Sequence, residues 1–142
     1  MTYEMSRDEW RAFLLDETRT AKVATTRADG SPHLAPLWFV LDGDDLVFTT
    51  DEHSVKGRTL QRDARVSICV DDERPPFAFV TLEGVAELST DLAALRRFAT
   101  AIGGRYMGAD QAEGFGARNG VPGELLVRVH PTRVVARGAI TD

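Results

Sequence analysis

The sequence predicts a mainly β, α+β fold: a small antiparallel barrel of six to seven strands with flanking helices. Three observations carry that prediction. Short apolar runs follow one another too closely to leave room for crossover helices. The turn at Asp29-Gly30 and the stretch "DGDD" after Leu41 are hairpin signals that pair neighbouring runs antiparallel. Helix-period spacing of apolar residues is confined to a few separate segments.

Taken in order, Ser6 and Glu9 have the Ser-x-x-Glu spacing of a capping box, and Trp10, Phe13 and Leu14 follow on one face of a first helix. A strand from Ala21 to Arg27 ends at "ADGS", a second runs from Pro32 to Leu41, and a third from Leu46 to Thr50, which makes an antiparallel meander. Ser54 to Arg62 reads as a short helix and Val66 to Val70 as a strand. "ERPP" breaks the chain before a longer strand, Phe77 to Leu88. Ser89-Thr90-Asp91 opens a helix from Leu92 to about Tyr106, with Leu92, Leu95, Phe98, Ala99 and Ile102 on one face. The stretch "MGADQAEGFGARNGVPG" reads as irregular and glycine-rich. Two last strands, Glu124 to Val129 and Arg133 to Arg137, complete the barrel. With no repeat and no boundary, residues 1–142 are expected to form one domain.

Composition narrows the function. A net charge of -5 and a pI near 5.2 argue against a nucleic-acid partner, because the basic residues form no broad field. No apolar run approaches the roughly 18 residues of a membrane span, and the polar start "MTYEMSRDEW" is unlike a leader, so a cytoplasmic protein is expected. A single cysteine, Cys69, rules out an internal disulfide and reads as a small buried hydrophobe. His33, His53 and His130 are isolated in sequence, so no metal site is expected. The paired acids Asp44-Asp45 and Asp71-Asp72 read as solubilising turn and strand-end residues. No nucleophile elbow, P-loop or dinucleotide fingerprint is present, so any catalysis would be supplied by a cofactor.

Two features stand out. In "PHLAPLWFV" the apolar residues fall on both faces, so both faces need cover: one from the barrel core, the other from a second subunit or a flat ligand. Pro36 removes a ladder donor and places this run at an edge or a bulge. The second feature is Lys56, one of two lysines beside 15 arginines. With Ser54 as N-cap, the first-turn amides point outward and the helix dipole disfavours a cation there unless an anion lies between. Helical spacing sets Lys56 with Leu60 toward the body of the protein and leaves Arg58 and Arg62 on another, solvated face. Anion seat and plain surface helix both fit this pattern.

The ordered segments "KVATTRADGSPHLAPLWFV", "LVFTTDEHSVKGRTLQRDARVSICV" and "VTLEGVAEL" resemble the pyridoxamine 5'-phosphate oxidase-like split barrels, and among them the branch of F420-dependent (deazaflavin) reductases. The resemblance covers about Thr20 to Leu88, with a weaker echo in "RYMG" and "PGELLVRVHPTRVV". It implies a split barrel that dimerises and holds coenzyme F420, or FMN, in the groove between subunits. It also implies that Thr49, Thr50, Ser54 and Lys56 hold the cofactor phosphate, while Ala35, Pro36, Leu37 and Trp38 lie along the ring. Arg58, Arg62 and Arg65 become partners for the carboxylates of an F420 tail, and less directly Arg105 and Arg118, which also suit substrate entry.

The bland readings stay beside these. Trp38 also suits barrel core or dimer packing, His33 a structural histidine, Tyr106 a helix-end core residue, and the arginines a solvated face. The expected function is an F420-dependent oxidoreductase that delivers a hydride to an unsaturated or quinone-like small molecule. An FMN-dependent oxidase or flavin reductase, and a non-catalytic cofactor-binding protein, are the alternatives.

Overall fold

Eight strands and four α-helices follow one another in a computed structural model that describes residues 1–142. They are β1 (Tyr3–Glu4), α1 (Arg7–Leu15), β2 (Ala21–Thr26), β3 (Pro32–Leu37), β4 (Val40–Asp42), β5 (Asp45–Asp51), α2 (Val55–Arg62), β6 (Arg65–Asp72), β7 (Ala78–Ser89), α3 (Leu92–Met107), α4 (Ala112–Asn119) and β8 (Glu124–Gly138). The expected capping box is made: the Ser6 hydroxyl accepts from Glu9 N–H at 3.2 Å, and the Glu9 carboxylate accepts from Ser6 N–H at 3.1 Å.

All strand pairs are antiparallel, in the order β3-β2-β6-β7-β8-β5-β4, with β1 added to β8. The two edge strands, β3 and β4, are neighbours in the chain, separated only by Trp38 and Phe39. Three residue steps span at most about 11 Å. The sheet must therefore curl until its edges meet, yet no ladder joins them. The result is an antiparallel barrel split along one seam.

Inward positions of the sheet form the main core, including Val23, Phe48, Ile68, Val80, Leu82, Val127 and Val129, capped by Trp10 and Leu14 of α1. A smaller cluster of Val47, Leu95, Phe98 and Leu126 lies between the sheet and α3. Leu46, Val47 and Phe48 are consequently buried in succession, because β5 is covered on both faces.

The structure corrects four readings of the sequence. The single strand from Pro32 to Leu41 is broken at Trp38 and Phe39, because its first half pairs with β2 and its second with β5. The two last strands are one 15-residue strand, β8. The register passes from Glu83↔Arg133 to Gly84↔Pro131, so Thr132 is the extra residue of a bulge. Pro131 is tolerated there because β5 pairs only as far as Val129 and β1 only with Arg137 and Gly138.

The glycine-rich stretch is helical, as a short 3-10 turn at Ala109–Gln111 followed by α4. Two of its glycines, Gly116 and Gly120, allow close packing against α3, while Gly108 and Gly123 adopt positive φ. A Cβ on Gly103 of α3 would lie 2.5 Å from Phe115 Cβ, and one on Gly116 of α4 would overlap the Thr100 hydroxyl. Finally, β1 carries no sequence signal at all; it forms by pairing Tyr3 and Glu4 with the end of β8.

Surface charges do more than solubilise. Asp44 binds Arg7 at 2.8 Å and Arg11 at 3.3 Å, Asp71 binds Lys22 at 2.9 Å, and Asp72 binds both Arg19 and Arg74. His130 lies between Asp45 (3.0 Å) and Glu87 (2.8 Å), joining β5, β7 and β8. Cys69 is half-buried rather than enclosed, beside Lys22 across the ladder, and burial pushes its thiol pKa up. No helix is long and apolar enough to cross a membrane.

Candidate functional site

Where β3 ends at the seam, a cavity of about 380 Å³ opens between Pro36, Leu37 and Trp38, Thr49 of β5, Ile102 of α3 and Asn119 of α4, with Thr20. Four of the residues that the sequence assigns to a cofactor thus meet in one place. Ala35 does not line the cavity; it is half-buried and pairs with Val23 of β2. Within the single chain the run Pro32–Leu37 is covered on one face only. Only Leu37 packs against the main core, and Leu34 is 68% exposed.

The wall behind Trp38 is aromatic. Its ring stacks on Tyr106 at 5.0 Å and 3° between planes, and meets Phe115 edge-on at 5.6 Å. Tyr106 is a hydrogen-bond donor as well as a packing residue. Its hydroxyl donates to the Arg19 carbonyl at 2.6 Å and accepts from Phe39 N–H at 3.3 Å, and burial raises its pKa. Arg105 donates to the carbonyls of Phe39 and Leu14, each at 2.7 Å, and lies over the Phe39 and Tyr106 rings at 4.6 and 4.8 Å. It has no carboxylate partner, and burial pulls its pKa down. Its two terminal nitrogens thus donate to main-chain carbonyls, while its enclosed Nε has no partner in the chain.

Thr50 and Thr49 part company. Thr49 lines the cavity, while Thr50 is 8% exposed and turned to Ser54. Ser54 is the N-cap of α2, as predicted: it accepts from Gly57 N–H at 3.0 Å. It also donates to the Asp51 carbonyl at 2.7 Å, so the Thr50 hydroxyl, 3.0 Å away, must be the donor to Ser54. The Ser54 hydroxyl therefore has one proton and two acceptor sites, all engaged.

The N–H groups of Val55 and Lys56 have no acceptor in the protein, and the half-buried Lys56 has no carboxylate partner. Gly57 is required by the same turn, since a Cβ there would overlap the Asp51 carbonyl. His33 is half-buried with an unpartnered, enclosed Nδ1. Burial first, then Arg27 and Lys56, lower its pKa and keep it neutral near pH 7.

Of the arginines, Arg58 is exposed without an ion pair, Arg62 donates to the Thr26 carbonyl, and Arg65 is held by Asp63 at 2.7 Å. Arg118 lies 5.9 Å over the Phe115 ring. Sequence reasoning missed Thr20, Ile102 and Asn119 at the cavity wall, and Phe115 against the Trp38 ring. Ile102 was visible only as part of an apolar helix face, and Asn119 and Phe115 lie in the stretch read as irregular.

A barrel split between two chain-adjacent edge strands, with a cavity at the seam walled by a helical pair, defines a split-barrel class of protein. The sequence model for pyridoxamine 5'-phosphate oxidase matches residues 6–138, and the chain belongs to that family. A conserved hypothetical protein of Mycobacterium tuberculosis is 27% identical, with a TM-score of 0.85, covering 96% of this chain and 87% of its own. An F420 reductase is 26% identical with a TM-score of 0.68, covering 87% of this chain and 94% of its own. An FAD-binding protein of Mesorhizobium loti shares the fold at 17% identity and a TM-score of 0.71, covering 96% of each chain. No curated protein matches.

Proposed function

We propose that the protein is an F420-dependent reductase acting on an unsaturated or quinone-like organic molecule. The observation that carries this reading is the match to an F420 reductase over most of both chains, at 26% identity. The residues present fit such a cofactor. The Pro36–Trp38 cavity is largely apolar and backed by stacked aromatics, which suits a flat ring. Val55 N–H, Lys56 N–H and the unpaired Lys56 ammonium suit a phosphate.

In this reading Lys56 and the first turn of α2 bind the phosphate, Thr50 and Ser54 hold that turn in shape, and Pro36, Leu37, Trp38 and Thr49 orient the ring. Arg58 and Arg62 face the solvent where the carboxylate tail of F420 would emerge. When bound, the cofactor supplies the hydride; the chain's own residues bind, orient and exclude water. A homodimer that covers the exposed Leu34 side of β3 and closes the groove belongs to the same proposal.

FMN is the second reading, because two free amides and a lysine serve any phosphate and do not by themselves select the deazaflavin. Paired fluorescence titrations of the apo protein with F420 and with FMN separate the two. Tight F420 binding with weak FMN binding supports the reductase; the reverse moves the protein to flavin chemistry.

A further inference from the structure

We infer that Tyr106 is a positioning residue that fixes the plane of Trp38, so that the cavity offers a preset aromatic face to a planar, conjugated ring. Trp38 lies in the two-residue crossing between β3 and β4, where no ladder hydrogen bond holds the chain. The sheet therefore cannot fix its orientation. The last turns of α3 do so instead. Both polar groups of Phe39, the next residue, are taken by consecutive α3 side chains: its N–H by Tyr106 at 3.3 Å and its carbonyl by Arg105 at 2.7 Å. The Tyr106 hydroxyl is held from a second side by the Arg19 carbonyl at 2.6 Å, so the ring has a fixed position as well as a fixed tilt.

Trp38 then copies that tilt to within 3° at 5.0 Å, while Phe115 blocks rotation from the edge at 5.6 Å. The position of Phe115 is set in turn by Gly103, which leaves no space between α3 and α4. A stacked pair of this kind favours flat π-systems over aliphatic ligands of equal volume, because the ordering of the indole has been completed before binding. The inference rests on the cavity being the ring site proposed above.

The test uses a Trp10→Phe background, in which Trp38 is the sole tryptophan. Near-ultraviolet circular dichroism and fluorescence anisotropy of Trp38 are recorded without ligand, and FMN and F420 are then titrated. Tyr106→Leu is expected to lower the Trp38 dichroism and anisotropy, and to weaken whichever cofactor binds by about tenfold, the scale of one or two lost stacking contacts. Tyr106→Phe keeps the ring but loses both hydrogen bonds, and about a fivefold loss is expected.

If Tyr106 acts through Trp38, the loss in Tyr106→Leu is absent once Trp38 is replaced by Leu. Independent, multiplying losses would overturn the inference. So would a folded Tyr106→Leu protein with unchanged Trp38 signals. Should Tyr106→Leu not fold, Tyr106→Phe is judged by the same readouts. If neither cofactor binds the parent protein, the functional reading fails, while dichroism and anisotropy still decide the role of Tyr106.

Discussion

Replacing Arg105 by Met separates a structural arginine from a ligand-binding one. The guanidinium makes two 2.7 Å bonds to main-chain carbonyls, one from Phe39 at the seam and one from Leu14 at the end of α1. A buried carbonyl deprived of its donor costs about 1–3 kcal/mol. Loss of the contacts with the Phe39 and Tyr106 rings adds about 0.5–1 kcal/mol each.

Against this stands the cost of burying a cation without a carboxylate, the effect that pulls the Arg105 pKa down, which methionine does not incur. Methionine also keeps most of the packing of the aliphatic stem. The net expectation is a loss of about 2–4 kcal/mol, a large share of the roughly 5–15 kcal/mol that such domains possess. Urea unfolding at fixed pH measures it, as a lower midpoint with an unchanged slope. A loss below about 1 kcal/mol, accompanied by selective weakening of F420 over FMN, would refute the reasoning and return Arg105 to the ligand.

Lys56→Ala should weaken cofactor binding by about 1–3 kcal/mol, the range for charge-assisted hydrogen bonds, with little change in the thermal midpoint; equal affinity in a titration would remove Lys56 from the site. Gly116→Ala should destabilise by about 1–3 kcal/mol through its clash with Thr100, and Thr100→Ala should recover part of that loss. Urea curves of the two single variants and the double variant check the coupling. His130 has its pKa raised by Glu87 first and then Asp45. Its contribution to stability is therefore complete below the unfolded value of about 6.5 and is lost as pH rises through the higher folded value. The urea midpoint should fall across that window, and His130→Gln should flatten the fall; an identical slope in the variant would contradict it.

Local rules carried the reading of the sequence furthest. Ser6 and Ser54 cap their helices as expected, and Asp91 proves to be the cap within the expected Ser89-Thr90-Asp91 opening, because a cap is a contract between residues two or three positions apart. Readings failed where distant contacts decide. Gly116 looks like a loop residue until Thr100 is placed against it. Pro131 looks like a strand end until the adjoining edge of β8 proves free of partners.

The same division runs through the site. Pro36, Leu37 and Trp38 were legible from a run apolar on both faces, and the Lys56 turn from a charge at odds with a helix dipole. Arg105 and Tyr106 were not, since their partners are main-chain atoms 66 to 91 positions away, to which side-chain chemistry gives no clue.

The seam between β3 and β4 gives the barrel a direction of mechanical compliance. Elsewhere around the circumference, a change of girth stretches a ladder of backbone hydrogen bonds. Across the seam it stretches none, and the bracing comes from the side chains of Arg105 and Tyr106. The cavity straddles this line, with Pro36 and Leu37 on one bank and Thr49 on the other. Its width is therefore expected to respond to these two side chains on one helix end more than to changes within the paired strands.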